Sequence, residues 1–92
     1  RIFEKIDLDA IVYLKNDQNY IEIYLSSNKK VLVRYTSAEI LAILPVTSFV
    51  KINRTYIVNV NQVEKIATKY IEINQFTLPI SKEIREELLN KL

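Results

Sequence analysis

The feature that most limits how this chain can fold is its complete lack of glycine in 92 residues. Its segments are rich in β-branched and aromatic residues, as in YIEIYL at residues 20–25, and these favour strands. Short turns between strands commonly need a residue at positive φ, which glycine adopts most easily. We therefore expect asparagine, aspartate and serine to form the turns, because these residues tolerate left-handed backbone conformations.

The missing residue types also exclude whole classes of function. Without glycine, the chain has neither a Walker A loop nor a G-x-G-x-x-G dinucleotide fingerprint. Without histidine and cysteine, it has no disulfide, no thiolate nucleophile and no His- or Cys-based metal site. The carboxylate pairs Asp7/Asp9 and Glu86/Glu87 have no third ligand nearby in the sequence. We therefore predict a domain that is not an enzyme and has no catalytic residues, metal or cofactor.

The length and composition fit one ordinary globular domain. The chain is 49% hydrophobic and 26% charged, which is outside the range of disordered sequences. No apolar run approaches the ~20 residues that cross a membrane, so we expect no membrane segment in it. The chain begins with Arg1 and shows no signal-peptide pattern, so we interpret it as a piece of a longer protein.

Positive charge is concentrated in the middle of the chain, although the formal net charge is only +2. Between Asn28 and Arg54, Glu39 is the single acidic residue. A local excess of positive charge is typical of a surface that binds nucleic acid. The basic residues of this segment are Lys29, Lys30, Arg34, Lys51 and Arg54.

The first half of the chain predicts an antiparallel meander followed by a short helix. A short apolar–polar segment, residues 2–6, comes first. The predicted strands cover residues 10–14, 20–25 and 30–35, with polar turns at residues 16–19 and 26–29. The helix has Thr36 or Ser37 as its N-cap and stops at Pro45.

The second half predicts more strands and a terminal helix. Ser81 is the expected N-cap of that helix, with Ile84 and Leu88 on its apolar face. Residues 59–62 form a connection between strands. The predicted strands cover residues 49–52, 56–58, 63–68, 70–74 and 76–80.

The stretch FVKINRTYIVN, residues 49–59, places polar side chains between two apolar strands. Arg54 is a planar, permanently charged donor that suits guanine edges and phosphates. Asn53 can pair with adenine or brace its own turn. Lys51 is a point charge that suits phosphate. In a domain that does not bind nucleic acid, Arg54 would instead be solvated or paired with Glu64 or Glu72.

The same stretch resembles the hallmark of the LytTR DNA-binding domain, the output domain of many bacterial response regulators. In that family an aromatic and a basic residue precede a polar pair, Ser or Thr, an aromatic, two β-branched residues and Asn. Other parts of the family pattern follow in the same order, so the resemblance covers nearly the whole chain. They are the strand at residues 9–13, Asn19-Tyr20, the helix at residues 37–44 and Leu78-Pro79-Ile80-Ser81-Lys82.

The resemblance implies a mainly β fold of elongated antiparallel sheets, with one short central helix and a C-terminal helix, over residues 1–92. It also implies a cytoplasmic bacterial transcription regulator whose loops read the major grooves of double-stranded DNA at promoter direct repeats. Dimers on DNA and a possible upstream receiver domain follow from the same resemblance. Carried over by position, the residues expected to contact DNA are Asn19, Tyr20, Lys51, Asn53, Arg54, Ser81 and Lys82. These residues form three places: Asn19-Tyr20, Asn53-Arg54 with Lys51, and Ser81-Lys82. Some members of the family have histidine at the first or the second place, where this chain has Tyr20 and Asn53.

Plainer roles stay open for several of these residues. Lys51 and Lys82 could serve solubility alone, and Tyr20 could be a core residue that opens a strand. We assign Asn59 a structural role. For the whole domain, the alternative is a β-rich protein–protein interaction module that recruits a partner through an exposed strand edge, without binding nucleic acid.

Overall fold

The computed structural model describes residues 5–92, so most of the segment at residues 2–6 lies outside it. Eight strands form two antiparallel sheets, and two helices pack on them. The first sheet contains β1 (Ile11–Asp17), β2 (Tyr20–Leu25), β3 (Lys30–Val33), β4 (Phe49–Lys51) and β5 (Tyr56–Asn59). The second contains β6 (Val63–Ile66), β7 (Tyr70–Ile73) and β8 (Phe76–Pro79), and the helices are α1 (Ser37–Ile43) and α2 (Lys82–Asn90).

The five-stranded sheet is the centre of the molecule. Its strand order is β3-β2-β1-β5-β4, so the meander predicted for the first half of the chain is extended by β5 against β1. The three-stranded sheet follows the simple order β6-β7-β8. The overall extents are 44 × 25 × 21 Å. The predicted fold of elongated antiparallel sheets with two helices is confirmed.

Both faces of the five-stranded sheet are covered, because successive side chains on a strand point to opposite sides. In β5, Ile57 joins the cluster under α1, whereas Val58 joins the cluster shared with the second sheet and α2. Phe49 and Val50 divide in the same way on β4. Continuous apolar pairs in these short strands therefore reflect burial on two sides.

Asn59 ties three parts of the chain together from inside the core. Its side chain is 2% exposed, and its amide nitrogen donates to the carbonyl oxygen of Ile11 over 2.8 Å. Its side-chain oxygen accepts from the backbone nitrogen of Asn61 over 3.0 Å. A buried amide is stable only when its polar atoms have partners, so the structural role assigned to Asn59 is confirmed.

The residues that adopt positive φ in the turns are partly those expected for a chain without glycine. Asn28 and Asn74 adopt positive φ, of 67° and 46°, as predicted for asparagine. Gln18 (52°) and Gln75 (70°) also adopt positive φ, which the sequence did not predict for glutamine. The first turn is tighter than predicted, because Asn16 belongs to β1 and pairs with β2.

Two predicted strands, β3 and β6, end two residues earlier than expected. β3 ends at Val33 because the chain leaves the sheet to start α1, where Thr36 and Glu39 form a capping box. The Thr36 side chain accepts from the Glu39 nitrogen over 3.1 Å, and the Glu39 carboxylate accepts from the Thr36 nitrogen over 2.9 Å. β6 ends at Ile66 because Ala67 already donates to the carbonyl oxygen of Tyr70, which closes the turn.

Candidate nucleic-acid interface

Three connections of the five-stranded sheet lie at the same end of it. The β1–β2 turn and the β4–β5 turn are neighbours there, because the Asn16 nitrogen donates to the carbonyl oxygen of Thr55 over 2.7 Å. β3 also ends there, since Val33 pairs with Ile21 close to the start of β2. We call this the loop end and define it as residues 17–20, 34–36 and 51–55.

Asn53 is held in its turn by its own side chain. The side-chain oxygen accepts from the backbone nitrogens of Thr55 and Tyr56, each over 2.9 Å. Both lone pairs of that oxygen are therefore occupied, and the amide nitrogen remains as a donor. The turn-bracing role left open by the sequence is present, and bidentate pairing with adenine would require breaking one of these bonds.

Arg54 and Lys51 are exposed beside this turn. Among the described residues, the two ion pairs are Lys30 with Glu22 at 3.6 Å and Lys65 with Glu72 at 3.9 Å. Arg54 thus pairs with neither of the carboxylates that the sequence offered as partners. Its charge is available at the surface of the loop end.

The Asn19-Tyr20 pair sits on the neighbouring turn. Asn19 is exposed, and Tyr20 is half-buried at the first position of β2. The Tyr20 hydroxyl donates to the Asp17 carboxylate over 3.1 Å, and this hydrogen bond and the charge of Asp17 raise the pKa of Tyr20. Tyr20 is therefore outside the buried core, and its hydroxyl is bonded to another residue of the loop end.

Ser81 and Lys82 lie at the start of α2. Ser81 caps the helix, because its hydroxyl oxygen accepts from the Ile84 nitrogen over 3.2 Å. Lys82 is exposed and lines a shallow groove together with Lys69 and Arg85. Within residues 5–92, no hydrogen bond or ion pair connects Ser81 or Lys82 to the loop end. A hydrogen bond therefore joins two of the three predicted places, and the third is linked to them through the core, where Ile80 and Ile84 pack against the cluster that contains Ile52.

The basic segment seen in the sequence is divided between opposite ends of the sheet. Lys29 and Lys30 lie in and after the β2–β3 turn, where Lys29 accepts at its carbonyl from the Leu25 nitrogen. Arg34 follows the other end of β3, at the loop end. It is not among the residues that the family resemblance assigned to DNA contact. The register of β2 against β3 places Arg34 beside Tyr20.

A buried carboxylate lies on the same sheet, away from the loop end. Glu22 accepts from the Tyr24 hydroxyl over 2.8 Å and pairs with Lys30. The Tyr24 ring stacks on that of Tyr13, with centroids 4.5 Å apart. Burial and the bond to Glu22 raise the pKa of Tyr24 to about 12. The Glu22 carboxylate has both a hydrogen-bond donor and a cation as partners, so its burial has a structural explanation.

Comparison with known proteins decides the family. The family described as the LytTr DNA-binding domain matches residues 2–92. The chain belongs to the LytTR DNA-binding domain family. A solved structure described as the LytTr DNA-binding domain of a methyl-accepting/DNA response regulator from Bacillus cereus has the same fold, with a TM-score of 0.78. The match has 20% sequence identity and covers 94% of this chain and 84% of that one. No match was found among curated protein sequences.

Membership of the LytTR family confirms two expectations from the sequence. The chain is a DNA-binding domain, and the family is one of DNA-binding domains and not of enzymes. The structure adds that no helix within residues 5–92 is long and apolar enough to span a membrane.

Proposed function

We propose that this LytTR domain binds a specific sequence of double-stranded DNA, with the loop end of the five-stranded sheet facing the major groove. The observation that supports this proposal is the contact between the two turns that carry Asn19-Tyr20 and Asn53-Arg54. The bond from Asn16 to Thr55 holds these turns side by side, with Arg54 exposed and unpaired by the described carboxylates.

The two kinds of cation at the loop end have different roles. Arg54 reads a base, because its flat guanidinium can donate two parallel hydrogen bonds to a guanine edge. Lys51 neutralises a phosphate, because an ammonium group has no fixed geometry that would select a base. Asn19 and Tyr20 add contacts from the neighbouring turn.

Ser81 and Lys82 contact DNA from the amino end of α2. Lys82 is exposed, and Lys69 and Arg85 lie along the same groove, so three positive charges line this groove, with the opposite charge of Glu83 in the first turn of the helix. The helix dipole favours anions at the same place. The hydroxyl hydrogen of Ser81 is free to bond a phosphate, because capping uses only the oxygen as an acceptor.

Selection of duplexes from a random pool by the purified domain tests the proposal. Recovery of a common sequence, bound more tightly than its scrambled version, is the expected result. Affinity should fall steeply with salt, because phosphate contacts release counterions. A folded domain that binds no duplex at low salt would contradict the proposal and favour the protein-interaction module, for which the exposed edge strands β3 and β4 provide pairing sites.

Several wider expectations rest on the family resemblance. They are that residues 1–92 form the output domain of a longer regulator, that a receiver domain precedes it, that dimers bind promoter direct repeats, and that the protein is cytoplasmic. Binding measured on single and paired copies of the selected site tests the dimer. Cooperative binding that depends on the spacing of two copies supports it, and independent binding to each copy contradicts it.

A further inference from the structure

The exit of β3 brings an additional cation to the loop end. Val33 pairs with Ile21, and the chain then continues through Arg34 and Tyr35 to the cap of α1. Tyr20 immediately precedes Ile21, so Arg34 follows β3 alongside the turn that carries Asn19-Tyr20. Arg34 therefore belongs to the same end of the sheet as Arg54 and Lys51.

Arg34 is free of the contacts that occupy other cations of the sheet. It is exposed, as is its neighbour Tyr35, which is 45% exposed. Among the described residues no carboxylate lies within ion-pair distance of Arg34. Lys30, on the same strand, is instead paired with Glu22 and lies 5.9 Å from the centroid of the Tyr24 ring.

The order of the strands places Arg34 at one edge of the loop end and Lys51 at the other. β3 and β4 are the two edge strands, separated by four strand spacings of about 4.8 Å, or roughly 19 Å. A major groove is about 12 Å wide. When the central turns approach the groove, the edge residues lie over the phosphates that border it.

We propose that Arg34 binds a DNA phosphate and that Arg34 and Lys51 grip the backbone on either side of the two central turns. This inference rests on the proposed function and adds a contact that neither the sequence pattern nor the family match assigned. The inference does not extend to Lys29, although Lys29 belongs to the same basic segment of the sequence. Lys29 is five residues from Arg34, about 17 Å along an extended strand and beyond the ~10 Å screening length at 0.1 M salt.

Salt titrations of DNA binding test the inference with two matched neutral variants, Arg34→Gln and Lys29→Gln. Each removes one exposed positive charge, the first at the loop end and the second near the other end of β3. We expect Arg34→Gln to reduce the slope of log K against log salt by about 0.9, which is about an eightfold loss of affinity at 0.1 M salt. The loss should be equal for selected and scrambled duplexes, because a phosphate contact carries no sequence information.

Two further measurements distinguish the effect of the lost charge from an effect of the substitution on folding. Arg34→Lys should restore the wild-type slope, because it returns the charge, and all three variants should unfold at the wild-type temperature. An unchanged slope in Arg34→Gln, or an equal reduction in Lys29→Gln, would overturn the inference while leaving the proposed function intact. Failure of the wild-type domain itself to bind DNA would instead remove the proposed function, and this inference with it.

Discussion

The side chains of Asn53 and Arg54 have different roles in the same turn. Asn53 uses its oxygen to hold the backbone nitrogens of Thr55 and Tyr56, which fixes the direction in which the next residues leave the sheet. Arg54 has no such internal bond among the described residues and faces solvent. The sequence could name both residues because polar side chains between apolar strands mark a turn, but it could not decide whether Asn53 braces that turn or pairs with a base.

Replacing Arg54 by alanine tests its assigned role as a base reader. We expect the selected site to lose about 1–3 kcal/mol of binding free energy and one base pair to lose its preference. Lys51→Ala is the matched comparison, and it should weaken all duplexes equally and reduce the salt slope by about one. Equal effects of Arg54→Ala on selected and scrambled duplexes would show that Arg54 contacts only the backbone.

Replacing Asn53 tests the bracing of the turn. Asn53→Ala removes two hydrogen bonds at an exposed position, and we expect a loss of about 1 kcal/mol in the free energy of unfolding, measured by denaturant. Asn53→Asp keeps the oxygen acceptors, so it should retain most of that stability while its negative charge weakens DNA binding. Wild-type stability in Asn53→Ala would show that the two bonds contribute nothing.

Tyr24 makes stability depend on pH in the alkaline range. Its pKa is raised from 10.0 to about 12, first by burial and then by its bond to Glu22, so the folded state disfavours the phenolate. The stabilisation is complete below pH 10 and is lost as the pH rises toward 12, because the unfolded phenol ionises first. Unfolding measured across this range should show a smaller alkaline loss in Tyr24→Phe than in wild type.

At the scale of elements, α2 combines a cap with a contact surface. The Ser81 hydroxyl accepts from the Ile84 nitrogen, and the next residue, Lys82, is exposed. At its other end, Lys91 donates from its ammonium group to the carbonyl oxygen of Val46 over 3.0 Å. The cap closes the first turn of the helix, and the Lys91 bond attaches its other end to the segment before β4.

Two substitutions of Ser81 separate capping from DNA contact. Ser81→Ala removes the cap, and we expect a loss of about 1 kcal/mol in the free energy of unfolding. Ser81→Asp keeps a capping oxygen and should be close to wild type in stability, but its charge should repel phosphate and weaken DNA binding. Unaltered DNA affinity in Ser81→Asp would exclude Ser81 from the interface.

The helices and strands were largely predictable from the sequence, but the pairing of strands far apart in the chain was not. Alternating apolar residues and polar turns identified β1 to β3, and Thr36 and Ser81 marked the helix starts correctly. The pairing of β1 with β5 joins segments about forty residues apart, such as Tyr13 and Val58, and no local pattern specifies it. This long-range pairing brings the turn of Asn53-Arg54 beside the turn of Asn19-Tyr20, so the contact between these two sites was invisible in the sequence.

For the whole molecule, one cluster joins the two sheets and α2. Leu88 is fully buried in it, with Val58 from the first sheet and Ile71 from the second. The cluster determines how the five-stranded sheet and α2 sit relative to each other. Because the loop end belongs to that sheet and Ser81 to that helix, the distance between the predicted DNA contacts depends on this core.

Shortening Leu88 tests how much stability this core supplies. Leu88→Ala should lower the free energy of unfolding by about 2–5 kcal/mol, because it leaves a cavity among well-packed side chains. Leu92→Ala is the matched control on the same C-terminal segment, and its 74% exposed side chain should contribute less than about 0.5 kcal/mol. Similar losses in both variants, measured by denaturant unfolding, would contradict the assignment of Leu88 to the core.

The glycine-free turns have a consequence for the unfolded chain. Gln18 and Gln75 adopt a left-handed conformation that costs a residue with a β-carbon about 1–2 kcal/mol. Glycine at either position would relieve this strain but would also add conformational freedom to the denatured ensemble, worth roughly 0.5–1 kcal/mol. The added freedom therefore offsets about half of the relieved strain. A chain without glycine therefore accepts strained corners in the native state while giving up fewer disordered conformations when it folds.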